Sequence, residues 1–151
     1  MNHKLITCLV ISVLLITAIV PAFAETSIEK ISFDDGSYAI IETTVSQTPF
    51  ALLAAAKTKS ASRTYTYYAA NNLKEWDFTV NGTFSYDGST AKATAASSSY
   101  NIYVSGWSLV SRNASKSGAT ATATGTFKYA SIRKSTTIGL KCSADGTISA
   151  A

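Results

Sequence analysis

The sequence contains very little histidine, cysteine, methionine or proline. Among its 151 residues there are one His, two Cys, one Met and two Pro. His3, Met1 and Cys8 all fall within the first 24 residues. The rest of the chain therefore cannot build a Ser-His or Cys-His nucleophile pair, nor a zinc site from histidine and cysteine. These absences predict a non-enzymatic protein with no bound metal and no cofactor.

Charge is sparse at the start of the chain, where Lys4 is the only charged residue before Glu25. Residues 5–20 are almost all apolar, and a Pro-Ala-Phe-Ala motif ends at Ala24. A short basic start, an apolar stretch and an A-x-A end are typical of a secretory signal peptide. We expect a signal helix over residues 1–24, cleavage after Ala24, and a secreted, extracellular product. The alternative is a membrane anchor that is retained, which needs about 20 apolar residues. This segment barely reaches that length, so cleavage is favoured and we expect no membrane span to remain after it.

Strong charge of either sign is also absent. Removal of 24 residues would leave 127, with twelve Lys and Arg against nine Asp and Glu and a net charge of +3. That length suits one domain. The basic residues are scattered, and Arg133-Lys134 is their only adjacent pair, so no nucleic-acid partner is expected. The mild positive charge suits weak attraction to anionic envelope polymers.

What the chain does have is apolar residues that alternate with polar ones. The clearest case is Trp76–Tyr86, where large apolar residues and Gly82 would share one face of a strand. Ala119–Tyr129 alternates in the same way, with small alanines that leave room for large partners such as Trp76, Phe78 and Trp107. The turn signals are Asp34-Asp35-Gly36-Ser37, Asp87-Gly88 and Asp145-Gly146.

Further strands are predicted on the same grounds. Ser89–Ser97 would turn Ala91, Ala93 and Ala95 to one side, and Tyr100–Val110 would form one strand region bent at Gly106. In Thr136–Ser143, Cys142 shares a face with Ile138 and Leu140. A thiol on the apolar side of a strand behaves as a small buried hydrophobe, so we expect Cys142 to be buried.

These patterns predict an all-β protein, namely an antiparallel β-sandwich with Ig-like layers and seven or eight short strands. A small closed β-barrel gives the same pattern and stays as the alternative. Residues 25–61 are predicted to hold an N-terminal hairpin, a short helical turn over Phe50–Lys57 and the start of a polar linker, Lys57–Ser62. Residues 62–151 are predicted to form the sandwich domain.

Three tyrosines are the candidate ligand-contact residues: Tyr65, Tyr67 and Tyr68. They lie in a weakly patterned segment beside basic residues, where exposed rings could stack on sugars; Tyr100 and Tyr103 come next. The alternative is that these rings pack inward, as aromatics at strand spacing usually do.

One pair of carboxylates, Glu75 and Asp77, is spaced as in some glycosidases. Their predicted strand face otherwise carries Thr, Asn and Ser, with no apolar pocket to raise a pKa. We interpret the pair as part of a solvated sheet face, and predict no catalytic residues.

Four segments carry a resemblance to known proteins: WDFTVNGTFSYDG (76–88), SGW (105–107), SKSGATATATGTF (115–127) and LKCSADGTIS (140–149). Through them the chain resembles small secreted β-proteins of Gram-positive bacteria whose function is unassigned. In that family a cysteine often follows the first Asp-Gly-like turn and can pair with the one matching Cys142. The resemblance implies that Ala93 stands near that place here and that the bridge is lost.

The sequence thus predicts a secreted, non-enzymatic β-domain that acts by contact at or outside the cell envelope, with an envelope polymer or protein as partner. Two alternatives remain open. One is a bacteriocin-like or toxin-like protein that acts on a competitor's envelope. The other is a carbohydrate-binding module that uses the tyrosines.

Overall fold

The computed structural model describes residues 24–47 and 56–151, which form nine β-strands in two antiparallel sheets. The first sheet contains β1 (Ala24–Ser32), β2 (Tyr38–Gln47), β3 (Lys57–Tyr68), β4 (Lys74–Tyr86) and β5 (Ala91–Ile102). The second contains β6 (Trp107–Ser117), β7 (Thr120–Tyr129), β8 (Ile132–Cys142) and β9 (Ile148–Ala150). The predicted signal peptide before Ala24 and most of the predicted helical turn lie outside the described residues and stay predictions.

Strands that are neighbours in each sheet are also consecutive along the chain, in the orders β1-β2-β3-β4-β5 and β6-β7-β8-β9. The two sheets are separate, so the sandwich is confirmed and the barrel is not the fold adopted. Each sheet is a simple meander, and the described strands number nine rather than seven or eight. Residues 103–106 carry the chain from one sheet to the other.

The core lies between the two sheets and is filled from β4. Trp76, Phe78, Val80 and Phe84 are each 0% exposed, as the alternation of this strand predicts. Trp76 stacks on Phe127 of β7 with ring centroids 4.1 Å apart. Burial of such large side chains supplies the main stabilising term of the fold.

Small residues face these rings across the core. A β-carbon added at Gly125 of β7 would lie 3.0 Å from the Phe78 ring of β4. Gly82 leaves room on β4 itself, where an added β-carbon would lie 2.7 Å from the neighbouring Phe84 ring and 3.0 Å from Ala121 of β7. Ala121 itself is fully buried. Large residues on one sheet therefore fit against small residues on the other, which is how a core reaches close packing.

A β-bulge changes the predicted face of the alanines in β5. The register shifts at Phe84, so that Thr83 pairs with Ala95 while Phe84 pairs with Ala93. The extra residue, Thr94, reverses the alternation beyond it. Ala93 is buried as predicted, but Ala95 is exposed and Ala96 packs against the core instead.

The prediction of one strand region over Tyr100–Val110 is wrong. β5 continues to Ile102, and β6 begins only at Trp107. Between them Gly106 adopts a φ of +99°, a conformation that glycine reaches without strain. The predicted bend is thus the crossing between the two sheets, and the apolar positions change phase there, from Ile102 and Val104 to Trp107 and Leu109.

The segment predicted as a polar linker, Lys57–Ser62, forms the first half of β3. It pairs with β4 from Tyr86 to Asn81, and also with β2. Its polar composition reflects a solvent-exposed sheet face and not a loop. The N-terminal hairpin is consequently part of the same five-stranded sheet, and the boundary drawn at residue 61 falls inside a strand.

Long basic side chains link the rims of the two sheets on one side. Arg112 of β6 donates a hydrogen bond to the Ser98 carbonyl of β5 at 3.1 Å. Lys116 of β6 donates to the Thr94 carbonyl of the same strand. These carbonyls belong to an edge strand and would otherwise face solvent, so the two contacts shield an edge that could pair with another chain.

The opposite side is linked in the same manner. Lys59 of β3 donates to the Gly146 carbonyl in the β8–β9 turn at 2.5 Å. Lys134 of β8 lies 3.5 Å from the Asp35 carboxylate in the β1–β2 turn, and 5.3 Å from the centre of the Tyr67 ring. Four basic residues that looked scattered in the sequence are therefore used within the fold.

Replacement of Trp76 or Phe78 by alanine is expected to lower the free energy of unfolding by about 3–5 kcal/mol, because each change leaves a large cavity that the β7 backbone cannot fill. Urea denaturation followed by fluorescence measures it. Ile132→Ala, at an isoleucine that is 52% exposed, is the matched control. A loss below about 1 kcal/mol for Phe78→Ala would contradict the core described above.

Candidate functional site

The three candidate tyrosines do not form one exposed surface. Tyr67 is 5% exposed, and Tyr65 is half-buried on the same inner face of β3. Both stack on Trp76, with centroid distances of 5.3 Å for Tyr67 and 5.5 Å for Tyr65. Tyr68 instead stacks on Tyr38 at 4.8 Å. The structure thus places two of the three rings in the aromatic core, not on a platform.

Burial also affects the ionisation of Tyr65. Desolvation, together with the neighbouring Tyr67, raises the pKa of Tyr65 to about 12. Its phenol is therefore neutral at any physiological pH. The role of Tyr65 in this structure is packing against Trp76, and no ligand-contact role follows from its position.

A polar network surrounds Asp77, which is 6% exposed. Its carboxylate accepts hydrogen bonds from the Asn101 backbone N–H at 3.1 Å and side-chain amide at 2.9 Å. It also accepts one from the Tyr103 hydroxyl at 2.6 Å and pairs with Lys74 at 3.2 Å. Both Asn101 and Tyr103 belong to the end of β5 and the crossing. The network therefore fixes the point where the chain leaves the five-stranded sheet.

Lys74 is the cation of this network. Its partial burial opposes charging, but hydrogen bonds from its ammonium group to Tyr103 and Asp77 raise the pKa of Lys74. The Lys74 ammonium also lies 4.1 Å from the centre of the Tyr103 ring, within cation–π range. Lys74 stays charged, so Asp77 has a permanent partner and its burial is offset.

Sequence reasoning placed Asp77 on a solvated face, and this network is what it missed. Asp77 does point away from the core, but Tyr103 and Lys74 cover it. The available signal was the hairpin register, because Asp87-Gly88 as the turn sets Asn101 opposite Asp77. The bulge at Thr94 hides that pairing from a simple count of residues.

Charge is divided unequally between the two halves of the sandwich. Residues 24–106, which contain the five-stranded sheet, carry six Lys and Arg against eight Asp and Glu, a net charge of −2. Residues 107–151, which contain the four-stranded sheet, carry six against one, a net charge of +5. The overall charge of +3 conceals this difference, which makes the four-stranded sheet the more basic half.

The outer face of β7 and β8 is rich in hydroxyls and carries the remaining cations of this half. Thr126 pairs with Ser135, and Thr124 with Thr137, through side-chain hydrogen bonds of 2.9 and 3.1 Å. Exposed cations stand at both ends of this face: Lys128, Arg133 and Lys141. We call this surface the basic face.

The outer face of the five-stranded sheet is different. A shallow trough of about 310 Å³ lies across β2, β3 and β4, and it is bounded by uncharged residues. Its lining residues are Thr44, Ser46, Ser60, Ala61, Ser62, Asn81, Gly82 and Thr83. This surface offers several hydrogen-bonding groups and no charge.

Cys142 is 1% exposed, as predicted from its place in β8. Its burial raises the pKa of the thiol, which lowers the amount of reactive thiolate. The backbone N–H of Cys142 bonds to the Ala119 carbonyl, and that of Ala93 bonds to the adjacent Gly118 carbonyl. The two positions that the family resemblance links are thus both anchored to the β6–β7 turn.

Two further features are absent from the part of the chain that the structure describes. Among residues 24–47 and 56–151, no three or more His, Cys, Asp and Glu side chains come together as metal ligands could. Within the same ranges, no helix has the length and apolarity needed to cross a membrane.

No protein-family model and no curated protein matches the chain. A solved structure of a hypothetical protein from Listeria monocytogenes is similar to it, with 16% sequence identity and a TM-score of 0.45. The similarity covers 83% of this chain and 93% of that one. The neighbour's description assigns it no function.

Loss of the Asp77 carboxylate is expected to destabilise the protein. Asp77→Ala leaves Asn101 and the Tyr103 hydroxyl without their acceptor and should cost about 1–3 kcal/mol in the free energy of unfolding. Asp77→Asn keeps a hydrogen-bond acceptor and should cost less. Chemical denaturation of the two variants measures both values. Equal stability of wild type and Asp77→Ala would show that the network does not hold the crossing.

The thiol of Cys142 is expected to react with a thiol reagent only after denaturation, because it is buried and its pKa is raised. Absorbance during reaction with a chromogenic disulfide at pH 8 measures the rate. Ser149→Cys, at an exposed position of β9, supplies an accessible thiol as control and should react at once. Fast labelling of the native wild-type protein would overturn the burial of Cys142.

Proposed function

We propose that the protein is exported and serves as a non-enzymatic binding domain that acts by contact at or outside the cell envelope. The observation that carries this proposal is the unequal charge of the two halves of the sandwich, −2 for residues 24–106 and +5 for residues 107–151. Both halves are held in fixed positions by the shared core. Broad, fixed surfaces of opposite character suit attachment to extended partners. The predicted signal peptide supports export.

The chemistry of the surfaces supports binding more than turnover. The sandwich presents its polar groups on open sheet faces, where each hydrogen bond or ion pair competes with water and contributes little alone. Useful affinity from such contacts requires many of them at once, as with a repeating polymer. Envelope polymers present repeated groups of this kind.

A second candidate function, binding of a neutral carbohydrate, is favoured by the trough on the five-stranded sheet. Thr44, Ser62 and Asn81 line it, and their side chains make no hydrogen bond within residues 24–47 and 56–151. Uncharged hydroxyl and amide groups match the donors and acceptors of a sugar. Attachment through this trough would persist at high salt, since it involves no charge.

The purified protein is expected to sediment with isolated cell-envelope material. It should be released when the salt concentration is raised about tenfold, from roughly 50 to roughly 500 mM, because salt screens the exposed charges. The bound fraction is measured by pelleting, with a basic, unrelated small protein of similar charge as control. Retention that ignores salt would favour the carbohydrate function instead. No retention above that of the control protein would contradict the proposed function.

A further inference from the structure

The three cations of the basic face lack acidic partners. No ion pair within residues 24–47 and 56–151 involves Lys128, Arg133 or Lys141, and all three side chains are exposed. In contrast, Arg112, Lys116, Lys59 and Lys134 contact the opposite sheet, as described above. The basic face thus holds charge that the fold does not use.

Two of these cations are placed against each other. Lys128 of β7 and Arg133 of β8 are direct partners in the strand register. Like charges directly opposite in a sheet destabilise it, and neither residue has a carboxylate on its own face to compensate. A shared anionic ligand would relieve this repulsion, since two adjacent cations with several N–H donors match a phosphate group.

Lys141 marks the other end of the same face. It lies eight residues from Arg133 along β8, which is about 26 Å at the usual rise of a strand. Between them the outward positions of β8 are Ser135, Thr137 and Gly139, of which Gly139 is buried against Ala151, and those of β7 opposite are threonines. The face is therefore a strip with cations at its ends and hydroxyl groups along its length.

We propose that the basic face binds an extended phosphodiester polymer of the cell envelope, laid along β7 and β8. Lys128 and Arg133 would share one phosphate, Lys141 would contact another, and the intervening threonine and serine hydroxyls would donate hydrogen bonds. This inference rests on the proposed function and specifies its ligand. The cations of the basic face complement the negative charge of such a polymer, whereas the half that contains the five-stranded sheet carries an excess of acids.

A lipid surface fits this face less well than a polymer does. Peripheral membrane attachment normally combines basic residues with apolar side chains that enter the bilayer. Between the cations, the exposed side chains that β7 and β8 present outward are threonines and serine. The exposed apolar residues beside them, Tyr129 and Ile132, alternate onto the opposite face of the sheet. The basic face can therefore form hydrogen bonds with a hydrated polymer but has no apolar side chain of its own to insert.

The test measures binding of the full chain to poly(glycerol phosphate) by fluorescence anisotropy at several salt concentrations. Lys128→Gln with Arg133→Gln should weaken binding about tenfold and reduce the salt slope by about one. Lys30→Gln with Lys92→Gln removes the same charge from the five-stranded sheet and should change affinity less than about twofold. Both double variants alter exposed residues, and equal unfolding midpoints confirm that each folds.

Chain length gives a second, independent readout. Lys141→Gln should weaken binding of a long polymer but leave binding of a fragment with one or two phosphates unchanged, because such a fragment is too short to reach from Arg133. An equal effect on both ligands would overturn the extended arrangement.

Three results would overturn the proposal. Equal losses in the two double variants would mean that net charge alone attracts the polymer. Binding to phosphatidylglycerol vesicles that depends on Lys128 and Arg133, without binding to the polymer, would identify a membrane surface instead. Retention on whole envelope material that is unaffected by Lys128→Gln with Arg133→Gln would remove the basic face as the site and leave the proposed function standing.

Discussion

The fold depends on the contact between one row of aromatic rings and one row of very small residues. β4 supplies Trp76, Phe78 and Phe84, and β7 supplies the alanines and Gly125 that let these rings approach its backbone. Trp76 reaches furthest, stacking on Phe127 and on the tyrosines of β3. Since dispersion and apolar burial both require close approach, the small residues of β7 matter as much as the rings themselves.

This arrangement explains where the charges are. A core filled from two central strands leaves the rims between the sheets open to water, and long basic side chains can cross such a gap while their stems cover apolar surface. Arg112 and Lys116 do this on one side, and Lys59 and Lys134 on the other. Lys128, Arg133 and Lys141 have no such task and lie on the basic face, which is the surface proposed above to bind a partner.

Much of the fold could be predicted from the sequence, because alternation and turn signals are local properties. The buried face of β4, the place of Cys142 and the Asp-Gly turns follow from them. The strand over Lys57–Ser62 could not be predicted in this way, since serine and lysine on a solvent-exposed face resemble a linker. The exposure of Ala95 could not be predicted either, because it results from a bulge, and a bulge depends on how the strand pairs with its partner.

The candidate site was harder to predict than the fold. Asp77 and Tyr103 meet through strand register, and Lys128 meets Arg133 across a hairpin, so neither pair stands out in a linear reading. Tyr67 shows that the sequence can also suggest a site that does not exist. Its ring follows basic residues in the sequence and is predicted to be exposed, but Lys134 covers it from the other sheet. Net charge summed over the chain concealed the difference between the two halves.

The meander topology has a consequence for how the chain reaches this structure. Every hydrogen-bonded strand pair joins neighbours in sequence, so each sheet can assemble by closing short loops in turn, at a small entropic cost for each. For the nine described strands, it is the docking of the two sheets that brings distant segments together, and the four residues from Tyr103 to Gly106 keep the halves tethered while that happens. We expect such a chain to form hairpins early and to acquire its fixed core last, and so to fold faster than a sandwich whose strands cross between sheets repeatedly.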